Sequence, residues 1–395
     1  MIELSGLRRY ETDRGVARLE ADIKFVDIDA ELPADTLYFE IDANYAAMLV
    51  NDTYDPFMLP ALYLAMYNKT DLRIHGNVSK RLYKNLMWYA QKILCDFSNK
   101  LAPVTITVDG FAPTRITGTL IGTGMSCGVD SLSTVYDRYV HEDDSDYKIN
   151  ALFFFNCGSN GVAEKDFIED FAQTRCQRAM KVASELGLPL VPLDTNLHKF
   201  HRDEYGETFF YLSTYACILA MQNVIRRYYM GNGCSYYEIK ATDTLYKHYA
   251  LAGYCESFFV PLLQTERTEI IIDGCQYKRV EKIKKIADWD IAREYLNVCH
   301  IYSKNSSNCG LCGKCLRTLL PLEIMGKLDN FAHLFNVENY RANVLNFMAH
   351  CVADIDQSVF YREILDLAEE YNFPMPIRRD CYTLERQVVI FDDKK

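Results

Sequence analysis

Four cysteines toward the C-terminal end of the chain have the spacing of a metal site, C-x9-C-x2-C-x2-C. They are Cys299, Cys309, Cys312 and Cys315. Four thiolates can bind Zn²⁺ tetrahedrally without any other ligand, and such a closed site is structural rather than catalytic. Gly310 and Gly313 each follow one of these cysteines, which allows tight turns that direct backbone N–H groups toward sulfur. An iron–sulfur cluster also binds cysteine thiolates and is the alternative.

A second candidate is the glycine- and hydroxyl-rich segment GTGMSCGVDSLSTV, residues 122–135, which follows an apolar run and precedes a helical pattern. Within it, residues 126–131 (SCGVDS) combine small residues, whose backbone N–H groups can approach an anion, with two hydroxyls that can donate to it. Because a carboxylate does not favour bare phosphate, Asp130 is expected to hold Mg²⁺ or to orient the loop. The segment lacks the lysine of a Walker P-loop. It also fits the G-x-G-x-x-G dinucleotide fingerprint poorly, because it has one residue too many.

Regular elements from about residue 116 onward would position this segment. The predicted strands cover residues 115–124, 147–158, 188–194 and 234–244. Helical patterns alternate with them, which predicts an α/β fold with a doubly wound parallel sheet. The third helical pattern covers 207–233 and ends at a Gly-Asn-Gly stop. In such sheets ligands bind at the carboxyl ends of the strands, where segment 126–131 lies.

The patterns divide the chain into four predicted parts. These are an α+β N-terminal domain (1–113), the doubly wound domain (114–298), the cysteine site (299–330) and a helical tail (331–395). In the first part we predict a strand over 35–42 and helices over 55–71 and 79–97.

Composition limits the class of function. The chain has 395 residues and a formal net charge of −11, so its surface as a whole repels nucleic-acid backbones and does not suit a duplex binder. The first residues are charged, and no apolar run approaches the roughly 18 residues that a membrane span needs. We therefore expect neither a signal peptide nor a membrane segment, and a cytoplasmic protein.

Segment 126–131 resembles the S-G-G-x-D-S signature of the PP-loop ATP pyrophosphatases, in the strand–loop–helix context of that family. The cysteine spacing and residues 261–271 (PLLQTERTEII) are similar to two further motifs of the 7-cyano-7-deazaguanine synthase (QueC-like) family. The resemblance covers roughly residues 116–325. It implies a PP-loop ATP pyrophosphatase fold that binds ATP, Mg²⁺ and a structural Zn²⁺.

Members of that family use ATP to adenylylate the carboxylate of 7-carboxy-7-deazaguanine, release pyrophosphate, and form an amide and then a nitrile with ammonia. The resemblance implies catalytic roles for Asp130, Ser131 and Arg267, with Arg267 standing where the family has a phosphate-facing lysine. Lys240 and Asp243 end the predicted fourth strand and are substrate candidates, with a surface ion pair as the alternative. The residues assigned to ATP are Ser126, Cys127, Gly128, Val129, Asp130, Ser131, Phe155, Asn156 and Lys282.

Cys127 departs from the signature, which has glycine at this position. Three interpretations follow. The small side chain is tolerated, or its Cβ closes the ATP site and leaves a non-catalytic nucleotide-binding module, or a thiol activated at a helix N-terminus takes part in covalent chemistry.

Residues 1–113 and the tail lie outside the resemblance, and the amine acceptor is left open. One hypothesis is ammonia. The other is an amine on a macromolecule that the N-terminal domain docks, as for QueC-like proteins in gene clusters linked to anti-phage defence. A tRNA thiolase with an iron–sulfur cluster is a further alternative, which the acidic net charge disfavours. The family also implies a homodimer.

Overall fold

Strands and helices alternate along the residues that the computed structural model describes, which are 1–28, 32–158, 165–201, 208–237, 252–299, 308–356 and 358–376. The strands are β1 (Ile2–Glu11), β2 (Val16–Phe25), β3 (Thr36–Asp42), β4 (Leu72–Val78), β5 (Ile106–Phe111), β6 (Leu120–Gly124), β7 (Ala151–Asn156), β8 (Leu190–Thr195), β9 (Ile225–Gly231) and β10 (Glu269–Asp273). The helices are α1 (Asp55–Tyr67), α2 (80–97), α3 (129–140), α4 (Lys165–Leu186), α5 (Thr208–Ala220), α6 (Ala252–Phe259), α7 (Arg279–Ile286), α8 (Asp290–Tyr295), α9 (Gly313–Ile324), α10 (Val337–Ala353) and α11 (Val359–Glu370).

The ten strands form one sheet in the order β10-β9-β6-β7-β8-β3-β2-β1-β4-β5. From β10 to β8 all neighbours are parallel. Strands β7 and β8 lie on one side of β6, whereas β9 and β10 lie on the other. The chain therefore changes its direction of travel across the sheet beside β6. This makes the carboxyl ends of β6 and β9 the switch point at which such sheets bind ligands.

Helices cover both faces of the parallel half. Phe153 of β7 and Tyr228 of β9 belong to one apolar core, which α5 also lines. Their chain neighbours Leu152 and Tyr229 belong to a second core, on the face that α3 and α4 cover. Successive residues of a strand point to opposite faces, so a strand buried on both sides is a continuous apolar run, as residues 151–155 of β7 are. The predicted α/β class is confirmed as a large, mostly parallel sheet of Rossmann-like arrangement.

The strands before residue 113 continue the same sheet. Strand β3 pairs with β8 in antiparallel orientation, with Phe39 opposite Thr195, and β2 and β1 follow as antiparallel neighbours. Helix α1 packs against α5 in the first apolar core. The predicted boundary at residue 113 is therefore no break in the sheet, and the limits of the four parts stay predictions.

One predicted helix is wrong in its second half. The pattern over 207–233 predicted a single helix, but α5 ends at Ala220 and β9 begins at Ile225. β-Branched and aromatic residues favour a strand here, and Tyr228 and Tyr229 enter opposite cores as strand neighbours do. The predicted strand 234–244 is absent over residues 234–237, and residues 238–244 lie outside the described residues. The described strand in this part of the chain is β9.

The C-terminal helices pack beneath the second core. Leu316, Phe347 and Ile364, from α9, α10 and α11, are buried in it, and α11 contacts both α7 and α9. Among the helices that the structure describes, none combines the length and the apolar character that crossing a bilayer requires.

Candidate functional site

Residues 125–128 connect β6 to α3 at the switch point of the sheet. Gly128 is the N-cap of α3, and its amide donates to the Ser126 hydroxyl at 3.3 Å. The Ser126 and Ser131 hydroxyl oxygens lie 3.1 Å apart, and Ser131 also donates to the Gly128 carbonyl at 3.2 Å. The loop thus collects two hydroxyls at the positive end of a helix, which is the arrangement that binds anions.

Cys127 adopts the backbone conformation that its glycine-like position requires. Its φ is +59°, in the left-handed region where glycine is favoured. The side chain is 1 % exposed and lies in the second apolar core, beside residues such as Met125 and Val129. Burial raises the pKa of the Cys127 thiol to about 12, so the thiol is neutral near pH 7 and is a poor nucleophile. The Cβ therefore enters the core beneath the loop rather than the space above it.

Asp130 is held by two cations from α7. Its Oδ1 accepts from Lys282 Nζ at 3.1 Å, and its Oδ2 accepts from Arg279 Nη1 at 3.3 Å. Burial opposes ionisation of this carboxyl, but the charges of Lys282 and Arg279 outweigh it and lower the pKa of Asp130. Lys282 itself is fully buried and also donates to the Asn232 carbonyl after β9. The structure therefore brings Lys282, predicted from sequence, to the loop.

Further cations surround the loop, and with Arg279 and Lys282 they make up what we call the cationic cluster. Its members are Arg175, Arg178, Arg279, Lys282, Lys314 and Arg317. Burial and the charge of Arg178 lower the pKa of Arg175 to about 10. Lys314 is exposed to solvent. Partial desolvation by the surrounding protein and the charges of three neighbouring arginines nevertheless lower the pKa of Lys314.

Cations predominate among the printed charge interactions of Lys314 with described residues. The four charged groups that act most strongly on Lys314 are three cations and one anion, Asp130. Glu363 on α11 is a second acid beside Arg279, but burial raises its pKa. Like charges held this close are stabilised when an anion binds among them.

Phe155 and Asn156 lie at the same edge of the sheet, at the carboxyl end of β7. The Asn156 amide donates to Asp194 Oδ1 at 2.9 Å, and its own buried Oδ1 has no hydrogen-bond partner among the described residues. Phe155 stacks on Tyr228 with ring centroids 6.0 Å apart. The assignment of Phe155 and Asn156 to adenine stays a prediction.

Arg267 lies at the other end of the parallel strands from the loop, so the geometry gives no support to its predicted catalytic role, which stays a prediction. It precedes β10, at the amino ends of the parallel strands, whereas the loop follows β6 at the carboxyl ends. Its Nη2 donates to Asp52 Oδ2 at 2.6 Å and to the Pro113 carbonyl at 3.0 Å, and its Nη1 donates to Asn223 Oδ1 at 2.7 Å. The two substrate candidates, Lys240 and Asp243, lie outside the described residues.

The four cysteines form a compact group that suits one metal ion. Their sulfurs all lie within 4.8 Å of one another, and Cys299–Cys312 and Cys309–Cys315 are each 3.9 Å apart. Zinc–sulfur bonds of about 2.3 Å in a tetrahedron place sulfurs roughly 3.8 Å apart. The thiolates of a multi-iron cluster bind different iron atoms and lie farther apart, so the observed spacing favours a single ion.

One of the two predicted glycine turns is present at this group, at Gly310, whereas Gly313 begins helix α9. Gly310 has φ +72°, and the amides of Leu311 and Cys312 donate to Cys309 Sγ at 3.4 and 3.3 Å. Asn308, which the sequence did not single out, accepts from the Cys299 amide through Oδ1 at 3.1 Å. Such second-layer hydrogen bonds orient metal ligands.

The cysteine group is joined directly to the glycine-rich loop. The Asn297 amide donates to the Cys127 carbonyl at 2.8 Å, two residues before Cys299. Arg175 donates to the Cys299 carbonyl and interacts electrostatically with Cys127. A metal bound by the cysteines would therefore also fix one side of the loop.

Most of the cationic cluster was missed from the sequence. A usable signal exists in two pairs at i,i+3 spacing, Arg175 with Arg178 on α4 and Lys314 with Arg317 on α9. Each pair lies on one helix face, but only the fold shows that these faces meet at the same loop.

Comparisons with known proteins add no relative: no family model, no curated protein and no solved structure matches the chain. Fold and site together define an α/β protein with a mostly parallel, Rossmann-like sheet, a glycine- and hydroxyl-rich loop at the switch point and a four-cysteine group that could hold a metal ion.

Proposed function

We propose that the protein is an ATP-dependent ligase of the PP-loop, QueC-like type. It adenylylates the carboxylate of a 7-carboxy-7-deazaguanine-type acid, releases pyrophosphate and transfers the acyl group to an amine. The observation that carries the proposal is the loop 126–131, which lies at the switch point with the cationic cluster around its single acid.

The triphosphate would bind over the N-terminus of α3. The Ser126 and Ser131 hydroxyls and the amides at Gly128 and Val129 are the donors for phosphate oxygens. The cationic cluster supplies the charge that stabilises the departing pyrophosphate, which is where phosphoryl and nucleotidyl transfer gain most. Arg267 has no part in this scheme.

Asp130 is better suited to orient than to ligate. Both of its oxygens already bind cations of α7, so it fixes Lys282 and Arg279 beside the loop. Mg²⁺, which keeps few protein ligands in such sites, would be bound largely by the phosphates and would neutralise their charge.

The reaction proceeds in two steps. A carboxylate oxygen attacks the α-phosphorus of ATP and pyrophosphate leaves, which gives an acyl adenylate. The amine nitrogen then attacks the acyl carbon, AMP leaves and the nitrogen loses a proton. Ammonia or a macromolecular amine fits this scheme equally, and docking by residues 1–113 and dimerisation stay predictions.

The metal is proposed to be a structural Zn²⁺. Four thiolates at the observed spacing occupy all positions of a tetrahedral ion. The single-ion spacing gives no support to an iron–sulfur thiolase. The buried Cys127 side chain favours an open ATP site over the closed, non-catalytic alternative.

The test is acid-dependent ATP cleavage. Purified protein is incubated with Mg·ATP, with and without 7-carboxy-7-deazaguanine and ammonia, and AMP, pyrophosphate and base products are measured by mass spectrometry. We expect AMP that depends on the acid, and its loss in Lys282→Met. AMP formation that ignores every acid tested, or none at all, would contradict the proposal. Intact-mass analysis of co-expressed candidate proteins tests the macromolecular acceptor.

A further inference from the structure

A buried carboxyl group lies beside the switch point without a cationic partner among the described residues. Glu256 on α6 is 4 % exposed. Its Oε1 accepts from the Tyr215 hydroxyl at 2.6 Å, and its Oε2 accepts from the Asn232 side-chain amide at 3.1 Å. Burial raises the pKa of Glu256 to about 8, although the hydrogen bond from Tyr215 lowers it in part. The group therefore titrates near neutral pH, as proton-transfer groups do.

Asn232 connects this carboxyl to the loop. It follows β9 directly, and its backbone carbonyl accepts from Lys282, which in turn binds Asp130. The next residue, Gly233, passes so close to Asp130 that a Cβ there would lie 3.7 Å from Oδ2. Glu256 is thus one residue away from the cationic cluster, on the opposite face of the sheet from α7.

The titratable groups around Glu256 come from three directions. Tyr215 of α5 donates to Glu256. Tyr211 of α5 and Tyr228 of β9 both raise the pKa of Tyr215. Beyond Asn232 lies Lys282. The 91–97 part of α2 also packs against α6. Its charged groups, Lys92 and Asp96, pair with each other at the surface.

A purely structural acid is treated differently elsewhere in this molecule. Asp55 is also fully buried, but it accepts from the Ser79 amide and hydroxyl and from the Gln222 amide, so its oxygens are well satisfied. Glu20 is buried and binds two arginines. Among the described residues, Glu256 has one donor for each oxygen and no cation, and a buried acid held in this way beside the switch point is a candidate for proton transfer.

We propose that Glu256 is the proton acceptor for the amine in the second step of the proposed reaction. This inference rests on the proposed function. In the step, the amine nitrogen forms a bond to the acyl carbon of the adenylate, the bond from carbon to the AMP oxygen breaks, and the proton lost by nitrogen moves to the Glu256 carboxylate. Tyr215 and Asn232 position the carboxylate.

The experiment measures the two steps separately in Glu256→Gln and in the full-length wild type. Adenylate formation is followed as acid-dependent pyrophosphate release in single turnover, and acyl transfer is followed with ammonium or hydroxylamine as the amine. We expect unchanged adenylate formation and transfer to ammonium slower by about 100-fold or more. The loss should be smaller with hydroxylamine, which is largely unprotonated near neutral pH.

Tyr215→Phe tests whether Tyr215 sets the protonation of Glu256. It removes a donor that favours the ionised carboxylate, so the pKa of Glu256 should rise and the rising limb of the transfer rate should move to higher pH. Glu20→Gln, which removes a buried acid far along the sheet, is the control and should leave both steps unchanged.

Stability reports whether Glu256→Gln is folded and whether the carboxyl is buried as described. Because the pKa of Glu256 is raised on folding, the folded state binds more protons than the unfolded state between the unfolded value, roughly 4.3, and about 8. The contribution of Glu256 to the free energy of unfolding of the wild type therefore falls as the pH rises from about 4.3 to about 8. The variant should show a higher Tm than wild type at pH 8 and a similar Tm at pH 4.

Two results would overturn the assignment, and they are distinguishable. If wild type forms adenylate and amide and Glu256→Gln matches it in both, Glu256 is not the acceptor while the proposed function stands. If wild type forms no adenylate with the acid, the proposed function and the role of Glu256 are both wrong.

Discussion

The two ends of the parallel strands carry buried charge in different ways. At the amino ends, Arg267 meets Asp52 in a two-point ion pair, and its remaining donors reach the Asn223 side chain and the Pro113 carbonyl. At the carboxyl ends, the cationic cluster surrounds Asp130, and its cations lower one another's pKa.

The difference is between an ion pair satisfied within the chain and a group of cations beside the loop for which we propose an anionic ligand. The arginine at the amino ends has its partners within the chain and connects the first 113 residues to β10, so it needs nothing further. Among the described residues, the cluster at the carboxyl ends gathers several cations around Asp130, an arrangement that a bound anion would stabilise. A sequence motif does not reveal which arginine is paired within the chain, because arginine occurs at both ends of the parallel strands.

The largest effect should come from removing the metal ligand Cys312 as Cys312→Ser. Structural zinc contributes on the order of 10 kcal/mol in small sites, and the metal here would also fix the Asn297–Cys127 hydrogen bond. We expect loss of one metal equivalent by mass spectrometry, a large fall in Tm and loss of ATP binding. The matched control is Cys351→Ser, a fully buried thiol of α10 outside the group, which should keep its metal. Normal metal content and Tm in Cys312→Ser would contradict the metal assignment.

Arg267→Met should damage stability without damaging the site. Breaking a buried ion pair costs about 3–5 kcal/mol, and because Asp52 is 35 % exposed we expect about 2–3 kcal/mol in urea denaturation. ATP affinity of the folded protein, measured by calorimetry, should stay unchanged. A loss of ATP affinity with intact stability would restore the phosphate-facing role that the sequence suggested.

Lys314→Met should show the reverse. Removing one cation from a crowded cluster relieves repulsion, so stability should be equal to or above that of the wild type. A charged hydrogen bond to phosphate is worth about 1.5–3 kcal/mol, so ATP binding should weaken roughly tenfold or more. Lys327→Met, which removes a surface lysine paired with Asp288, is the control. Unchanged affinity in Lys314→Met would place the anion elsewhere.

The parallel half of the sheet was predictable from local patterns. Strands β6, β7 and β8 are short apolar runs between helical patterns, and the spacing of the four cysteines needs no tertiary information. Strand β9 was hidden because its apolar residues extend the apolar face of α5 without a glycine or proline between them. The hairpin of β1 and β2 was hidden by its charged residues. Arg8 of β1 pairs with Glu20 of β2, and Arg18 of β2 pairs with Glu40 of β3.

Apart from Lys282, which the family resemblance supplied, the side chains around the loop were predicted only where one segment contains them. Ser126 to Ser131 are contiguous, so their types and order were enough to indicate an anion loop. Arg279, Lys314 and Glu256 come from three helices that meet only through the crossovers of the sheet, and nothing local marks them. Arg267 shows the limit of a motif, because a motif fixes the neighbours of a residue in sequence but not the end of the sheet at which the residue lies.

The smallest effect should follow Cys127→Gly, the change that restores the family signature. Relief of the left-handed conformation favours the variant by about 1 kcal/mol, while loss of the buried side chain and the added freedom of glycine oppose it by a similar amount. We therefore expect a change in stability of less than about 1 kcal/mol and unchanged acid-dependent AMP formation. In the wild type, the raised pKa of about 12 should also keep Cys127 unlabelled by iodoacetamide at pH 8. If Cys127→Gly instead increased turnover tenfold, the thiol would have to occupy the phosphate space. The cations at the carboxyl ends would then belong to a site that the native chain keeps closed.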